Sequence, residues 1–321
     1  MNNYNIWQRG LHRLALSYDF MRETSFDLEK MLFLKRAKTV NAKKPVFVTG
    51  LARGGTTILL EAIHASGDFA SLSYSNMPFL LAPNLWGMIA RNSSNKDKSE
   101  RAHGDGIMIS TNSPEAFEEV FWKTFSRKDG VSQFKDYMQL ILHSYQKNRY
   151  LSKNNQNVNR IDTIRALLPN AKILIVFKSP LSHAYDLLTQ HRSFAKVQQK
   201  DGFIKDYMDW IGHSEFGLSY QPIVKNNLVY TDFNHIDHWL EQWLMLYSKL
   251  LGENSNFENT VFIDGGSLRP NGSWDKIKKF IAVQNDFLGF RDIREDLHID
   301  CDQKLLSKCQ KLYSNLQNFV I

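Results

Sequence analysis

One turn constrains this chain more than any other feature. Val46-Phe47-Val48-Thr49 is a short β-rich run, and Gly50-Leu51-Ala52-Arg53-Gly54-Gly55 follows at once. Thr56-Thr57-Ile58-Leu59-Leu60-Glu61-Ala62-Ile63 then reads as a helix that stops near Gly67. A strand feeding straight into a helix leaves the first N–H groups of that helix pointing outward, where the helix dipole favours negative charge. Glycine lets the backbone come close to an anion. The hydroxyls of Thr56 and Thr57 add donors, so a phosphate is expected at this turn.

The rest of the chain alternates strand and helix. Ile173 to Phe177 is an unbroken apolar run within a strand over 171–177, the pattern of a strand covered on both faces of a parallel sheet. Ser179-Pro180 reads as an N-cap and first helical residue, with the helix running to about His191. Residues 260–264 resemble a third strand. Helices are expected in two amphipathic pieces over 11–34, with Thr24 and Asp27 at capping-box spacing, and over 115–147 and 160–168. Another is expected over 235–251, stopped by Gly252, and a last one carries Leu305, Leu306, Cys309, Leu312, Tyr313 and Leu316. Residues 91–106 read as a polar loop and 202–234 as irregular. This order predicts an α/β fold with a central parallel sheet flanked by helices. A chain of 321 residues can fill one large α/β unit, so 1–321 is read as one domain with an N-terminal helical extension over about 1–40.

Composition excludes other classes. With 43% hydrophobic and 23% charged residues, the chain is neither disordered nor fibrous. Its apolar runs are far below the roughly 18 residues of a membrane span. Its first twenty residues include Asn2, Asn3, Arg9, His12, Arg13 and Asp19, and lack the apolar stretch of a secretory signal, so a cytoplasmic location is expected. Cys301 and Cys309, eight residues apart on one expected helical face, read as two buried thiols. A net charge of +7 suits an anionic ligand. No nucleic-acid motif accompanies it, so no nucleic-acid partner is expected.

Gly50 and Gly55 have the spacing of the nucleoside-triphosphate loop Gly-x-x-x-x-Gly-Lys-Ser/Thr, but position 56 is threonine where that loop needs lysine. The cation stands upstream, at Arg53. The run ending at Phe177 continues into Lys178-Ser179-Pro180, not into an acidic residue suited to magnesium. The turn is therefore tuned to a phosphate-bearing donor that needs no metal. A metal-dependent P-loop kinase and a degenerate, non-catalytic nucleotide-binding module are the other readings.

Arg53-Gly54-Gly55-Thr56-Thr57 resembles the 5′-phosphosulfate loop of the sulfotransferases that use 3′-phosphoadenosine 5′-phosphosulfate (PAPS). Lys178-Ser179-Pro180 resembles that family's 3′-phosphate signature, a strand ending in Arg-(Asp/Asn)-Pro with a serine six residues after the proline. The resemblance extends over about residues 40–285, towards distant bacterial and tyrosylprotein-type members. It implies a P-loop-like sulfotransferase fold and an enzyme that moves a sulfuryl group from PAPS to a small-molecule, lipid or glycan acceptor. It implies Arg53, Gly54, Gly55, Thr56 and Thr57 at the 5′-phosphosulfate, and Lys178 and Asp186 at the 3′-phosphate.

Two residues depart from the family pattern. Lys178 keeps the charge of the usual arginine without its bidentate fork. Asp186 stands in the place of the serine, and a carboxylate repels a phosphate. Ser179, Ser182, His183 and Arg192 are the neighbours that could compensate, or Asp186 points elsewhere.

Transfer also needs a cation at the bridging oxygen and a base for the acceptor. Arg53 is the expected cation, with Lys153 as a second, since Lys153-Asn154-Asn155 resembles the family's Lys-x-(Pro/Asn) turn. The candidate bases are His103, Asp105, Glu115, Glu118, Glu119, His213 and Glu215, with His103 and Glu118 put forward. Residues 101–119 and 210–217 resemble the family's acceptor-side blocks.

Overall fold

The computed structural model describes residues 4–90, 113–125, 130–254, 258–270, 272–287, 289 and 299–321, with the backbone of 99–100 and 108–109. In chain order the elements begin with α1 (Ile6–Ser17), α2 (Asp19–Ala37), β1 (Lys43–Thr49), α3 (Thr56–His64), β2 (Phe69–Ala70) and α4 (Pro83–Ile89). There follow β3 (Ser99–Glu100), β4 (Met108–Ile109), α5 (Glu118–Phe125), α6 (Gly130–Tyr145), β5 (Arg149–Lys153), α7 (Ile161–Leu167), β6 (Lys172–Phe177) and α8 (Pro180–Lys200). The chain closes with α9 (Gly202–Trp210), α10 (Ile236–Asn254), β7 (Thr260–Asp264), α11 (Ser273–Ile281) and α12 (Gln303–Gln317).

Five strands form a parallel sheet in the order β2-β5-β1-β6-β7. Side chains alternate across a strand, and here both faces are covered. Phe47, Ile173, Ile175, Phe177 and Phe262 join the larger core, with residues of α6, α8, α10 and α12. Val46, Val48, Leu174, Val176 and Ile263 join a second core against Leu59, Leu60 and Ile63 of α3 and Trp274, Ile277 and Ile281 of α11. The continuous apolar run of β6 follows from this double burial.

From β1 the chain crosses to β2 on one side, and from β6 it passes to β7 on the other. The ends of β1 and β6 therefore flank the point where the strand order reverses, the place where an open α/β sheet holds its ligand. Tyr247 of α10 fastens the two ends. Its hydroxyl donates to the Val176 carbonyl at 2.7 Å and accepts from the Leu51 N–H at 3.1 Å.

Several expected elements shift. The N-terminal helices break at Tyr18, where extended backbone (φ −102°, ψ 124°) separates them. Thr24 and Asp27 lie inside α2 and cap nothing. Instead Glu29 of α2, fully buried, accepts from Asn84 N at 2.8 Å and Leu85 N at 3.0 Å, and so caps α4. The helix after Ser179 runs on to Lys200, and α10 passes through Gly252. Within the stretch read as irregular, α9 forms because Asp201 caps it at Phe203 N and Ile204, Tyr207 and Met208 share a buried face. Cys301 and Cys309 are buried and free, with Cys301 ahead of α12 and Cys309 inside it. Among the described residues no helix is long and apolar enough to cross a membrane.

Candidate active site

The turn after β1 has the geometry an anion needs. Gly55 caps α3 in the left-handed region at φ 103°, and Arg53 is left-handed at φ 65°. The first N–H groups of α3 have no partner within the helix. Thr56 is buried, Thr57 is half-buried and Arg53 is exposed. The turn is held tightly from two sides. A Cβ on Gly265, just after β7, would lie 1.8 Å from the Gly54 carbonyl oxygen, so only glycine fits there. On the other side, His183 Nε2 donates to the Ala52 carbonyl at 2.8 Å.

A cavity of about 210 Å³ opens on this turn. Arg53, Gly55, Thr56 and Thr57 form one wall, and Lys153 and Asn155 from the end of β5 form another. Gln190 and Phe194, one turn apart on α8, and Met208 of α9 close the far side with His213, Glu215 and Phe216. Asn155 Nδ2 lies 3.4 Å from Glu215 Oε1. The loop carrying His213 and Glu215 is bracketed by Gly212 and Gly217, where a Cβ would strike the Glu119 and Gln198 side chains. Glu119 is itself gripped by both Arg160 guanidinium nitrogens, at 2.6 and 2.8 Å.

The expected site residues separate into groups. Arg53, Gly55, Thr56, Thr57 and Lys153 meet at the cavity, with Gly54 directly behind it. Glu118, put forward as a base, is placed elsewhere. Its buried carboxylate accepts from Trp122 Nε1 at 2.9 Å, Asn157 Nδ2 at 2.8 Å and the Tyr150 hydroxyl at 2.8 Å, which makes it a structural anchor. Glu119 and Glu115 are engaged in the same manner, Glu115 with Tyr74 and the Ala116 N–H. His103 and Asp105 lie outside the described residues.

Lys178 and Asp186 do not line the cavity. They sit at the end of β6, where Lys178 Nζ and Asp186 Oδ2 are 2.5 Å apart. His183 lies between this pair and the turn. Complete burial, then its neighbours Lys178 and Arg53, push its ring down to about 4, so it is neutral near pH 7. Gln190 and Phe194 belong to no motif in the sequence, whereas Asn155 closes the Lys153-Asn154-Asn155 turn read there. The one sequence signal for the first two is their i, i+4 spacing on the helix that follows Ser179-Pro180.

A covered parallel sheet, a glycine-rich turn at its switch point and a helix beginning at Thr56 define a P-loop-like α/β protein. The sulfotransferase family model matches residues 45–220, more than half of the chain. The chain belongs to the sulfotransferase family. Its fold is similar to that of sulfotransferase STF1 from Mycobacterium tuberculosis H37Rv, with a TM-score of 0.56 at 13% identity, covering 87% of this chain and 78% of that one. Sulfotransferase STF9 from Mycobacterium avium matches with a TM-score of 0.47 at 10% identity, over 97% of this chain and 78% of that one. No curated protein matches the chain by sequence.

Proposed function

We propose that this chain transfers a sulfuryl group from a nucleotide phosphosulfate, PAPS in the form its resemblance implies, to a hydroxyl or amine of a small-molecule, lipid or glycan acceptor. The observation that carries this reading is the single cavity in which Arg53, the start of α3 and Lys153 meet Glu215. The N–H groups of Gly55, Thr56 and Thr57, with the threonine hydroxyls, hold the 5′-phosphate of the donor. Arg53 and Lys153 stand where negative charge grows on the bridging oxygen as its bond to sulfur breaks. The new bond forms between sulfur and the acceptor oxygen, and the acceptor proton passes to the Glu215 carboxylate. The nucleotide leaves with the bridging oxygen on its 5′-phosphate. Position 56 is threonine and β6 runs into Lys178, so these two positions lack the lysine and the carboxylate of a magnesium nucleotide loop, and the transfer needs no metal.

Calorimetry with adenosine nucleotides tests this reading. A metal-independent response to a 5′-phosphorylated adenosine, lost in Arg53→Ala together with sulfuryl transfer, is the expected result. A response only to ATP, and only with magnesium, would replace it with phosphoryl transfer.

A further inference from the structure

The end of β6 differs in charge from the turn beside it. At the turn, Arg53 and the start of α3 present positive charge to a ligand. Two residues beyond Val176, the Lys178 ammonium is already bound: its side chain is 5% exposed and its Nζ is 2.5 Å from Asp186 Oδ2. Asp186, in the second turn of α8, is 31% exposed and so reachable by a ligand. The neighbours that could supply further positive charge do not. His183 is neutral, with its ring pushed down to about 4, and its proton is committed to the Ala52 carbonyl. Arg192 turns away and donates to the Asn234 carbonyl at 2.5 Å. Ser182 is buried.

A nucleotide whose 5′-phosphate lies at the start of α3 extends its ribose into the crevice between the ends of β1 and β6. Among the described residues, what stands there is a carboxylate balanced by one lysine. A ribose hydroxyl donates to a carboxylate, whereas a ribose phosphate needs an uncommitted cation and is repelled by the same carboxylate. Dinucleotide sites use this contrast, an acidic residue for the hydroxyl and an arginine for the phosphate.

We infer that Asp186, held by Lys178, makes this site read a 3′-hydroxyl in preference to a 3′-phosphate, so that adenosine 5′-phosphosulfate is the better donor. This rests on the sulfuryl-transfer reading and narrows its donor. Asp186 acts as the discriminating group, and Lys178 keeps it charged and oriented.

The experiment is calorimetric titration of the full chain with AMP and with 3′-phosphoadenosine 5′-phosphate (PAP), without metal, repeated on Asp186→Ser and Asp186→Asn. The parent is expected to bind AMP at least tenfold more tightly than PAP. Freeing Lys178 in Asp186→Ser is expected to tighten PAP at least tenfold and reverse the order, with the melting temperature confirming a folded variant. Tighter binding of PAP than AMP by the parent overturns this inference and leaves the sulfuryl-transfer reading standing. An unchanged order in both folded variants also overturns it. Failure of both nucleotides to bind overturns the donor site itself, and the inference with it.

Discussion

His183 Nε2 lies 2.8 Å from the carbonyl oxygen of Ala52, so the first turn of α8 is hydrogen-bonded to the glycine-rich turn after β1. The bond fixes the neutral ring with its proton on Nε2, and leaves Nδ1 a buried acceptor without a partner among the described residues. Burial pushes this ring down to about 4, and His191 likewise to about 4. In the unfolded chain both titrate near 6.5, so between these values the unfolded state holds protons that the native state lacks. Stability is therefore full above about pH 6.5 and falls as pH drops towards 4, by about 3 kcal/mol for His183. Urea unfolding from pH 7 to pH 5 measures the slope. His183→Gln keeps a donor for Ala52 and should reduce the slope to the share left by His191, and an equally steep slope in that variant would refute the assignment.

Arg53 combines a left-handed backbone with an exposed cation, and the two roles can be separated. Arg53→Gly adopts φ 65° without strain, while Arg53→Ala carries about 1 kcal/mol of it. Both variants should lose sulfuryl transfer by about a hundredfold or more. Arg53→Ala keeps the strain that the parent already carries and should unfold with it, whereas Arg53→Gly should unfold no earlier than the parent. Transfer by Arg53→Gly at the parent rate would remove the cation from the mechanism.

Gly265 touches the back of the turn. Gly265→Ala sets a methyl group 1.8 Å from the Gly54 oxygen, which displaces the turn and should cost about 1–3 kcal/mol together with nucleotide affinity. Gly87→Ala is the control, since nothing lies within 4 Å of its Cβ position and its backbone is helical. Denaturation and calorimetry on the two variants should diverge, with nucleotide binding weakened in Gly265→Ala alone.

Tyr247→Phe removes the hydroxyl between Leu51 N and the Val176 carbonyl while keeping the ring. Two buried backbone groups then lose a partner, at about 1–3 kcal/mol. Equilibrium unfolding reads that loss directly, and stability equal to the parent would mean that water replaces the hydroxyl.

Two glutamates give opposite expectations. Glu215→Gln should lower kcat with little change in melting temperature, because Glu215 faces the cavity. Glu118→Gln should lower the melting temperature, because one carboxylate serves three donors there and an amide cannot accept all three in place. A normal kcat in Glu215→Gln would return the base to the remaining candidates.

The sequence alone determined the strand–turn–helix from Val46 to Ile63, because its signals are local: glycines for close approach, threonines for donors, and a strand and helix whose apolar periods are read over a few residues. The same holds for β6 and β7, whose burial on both faces leaves a continuous apolar signal, and for the sulfotransferase resemblance carried by Arg53 to Thr57. Tertiary structure decided what charge does. Glu118 and Glu215 are the same residue type, and only folding sets one among Trp122, Tyr150 and Asn157 and the other beside Arg53 and Lys153. Asp186 stood out in sequence as a repulsive group in a phosphate site, yet its pairing with Lys178 depends on where α8 begins relative to β6. Gln190 and Phe194 became cavity residues only once α8 packed across the turn. Local propensity is short-ranged and legible in a single chain. The partner that a charged side chain finds is set by contacts between residues distant in sequence, and a single sequence does not encode those one by one.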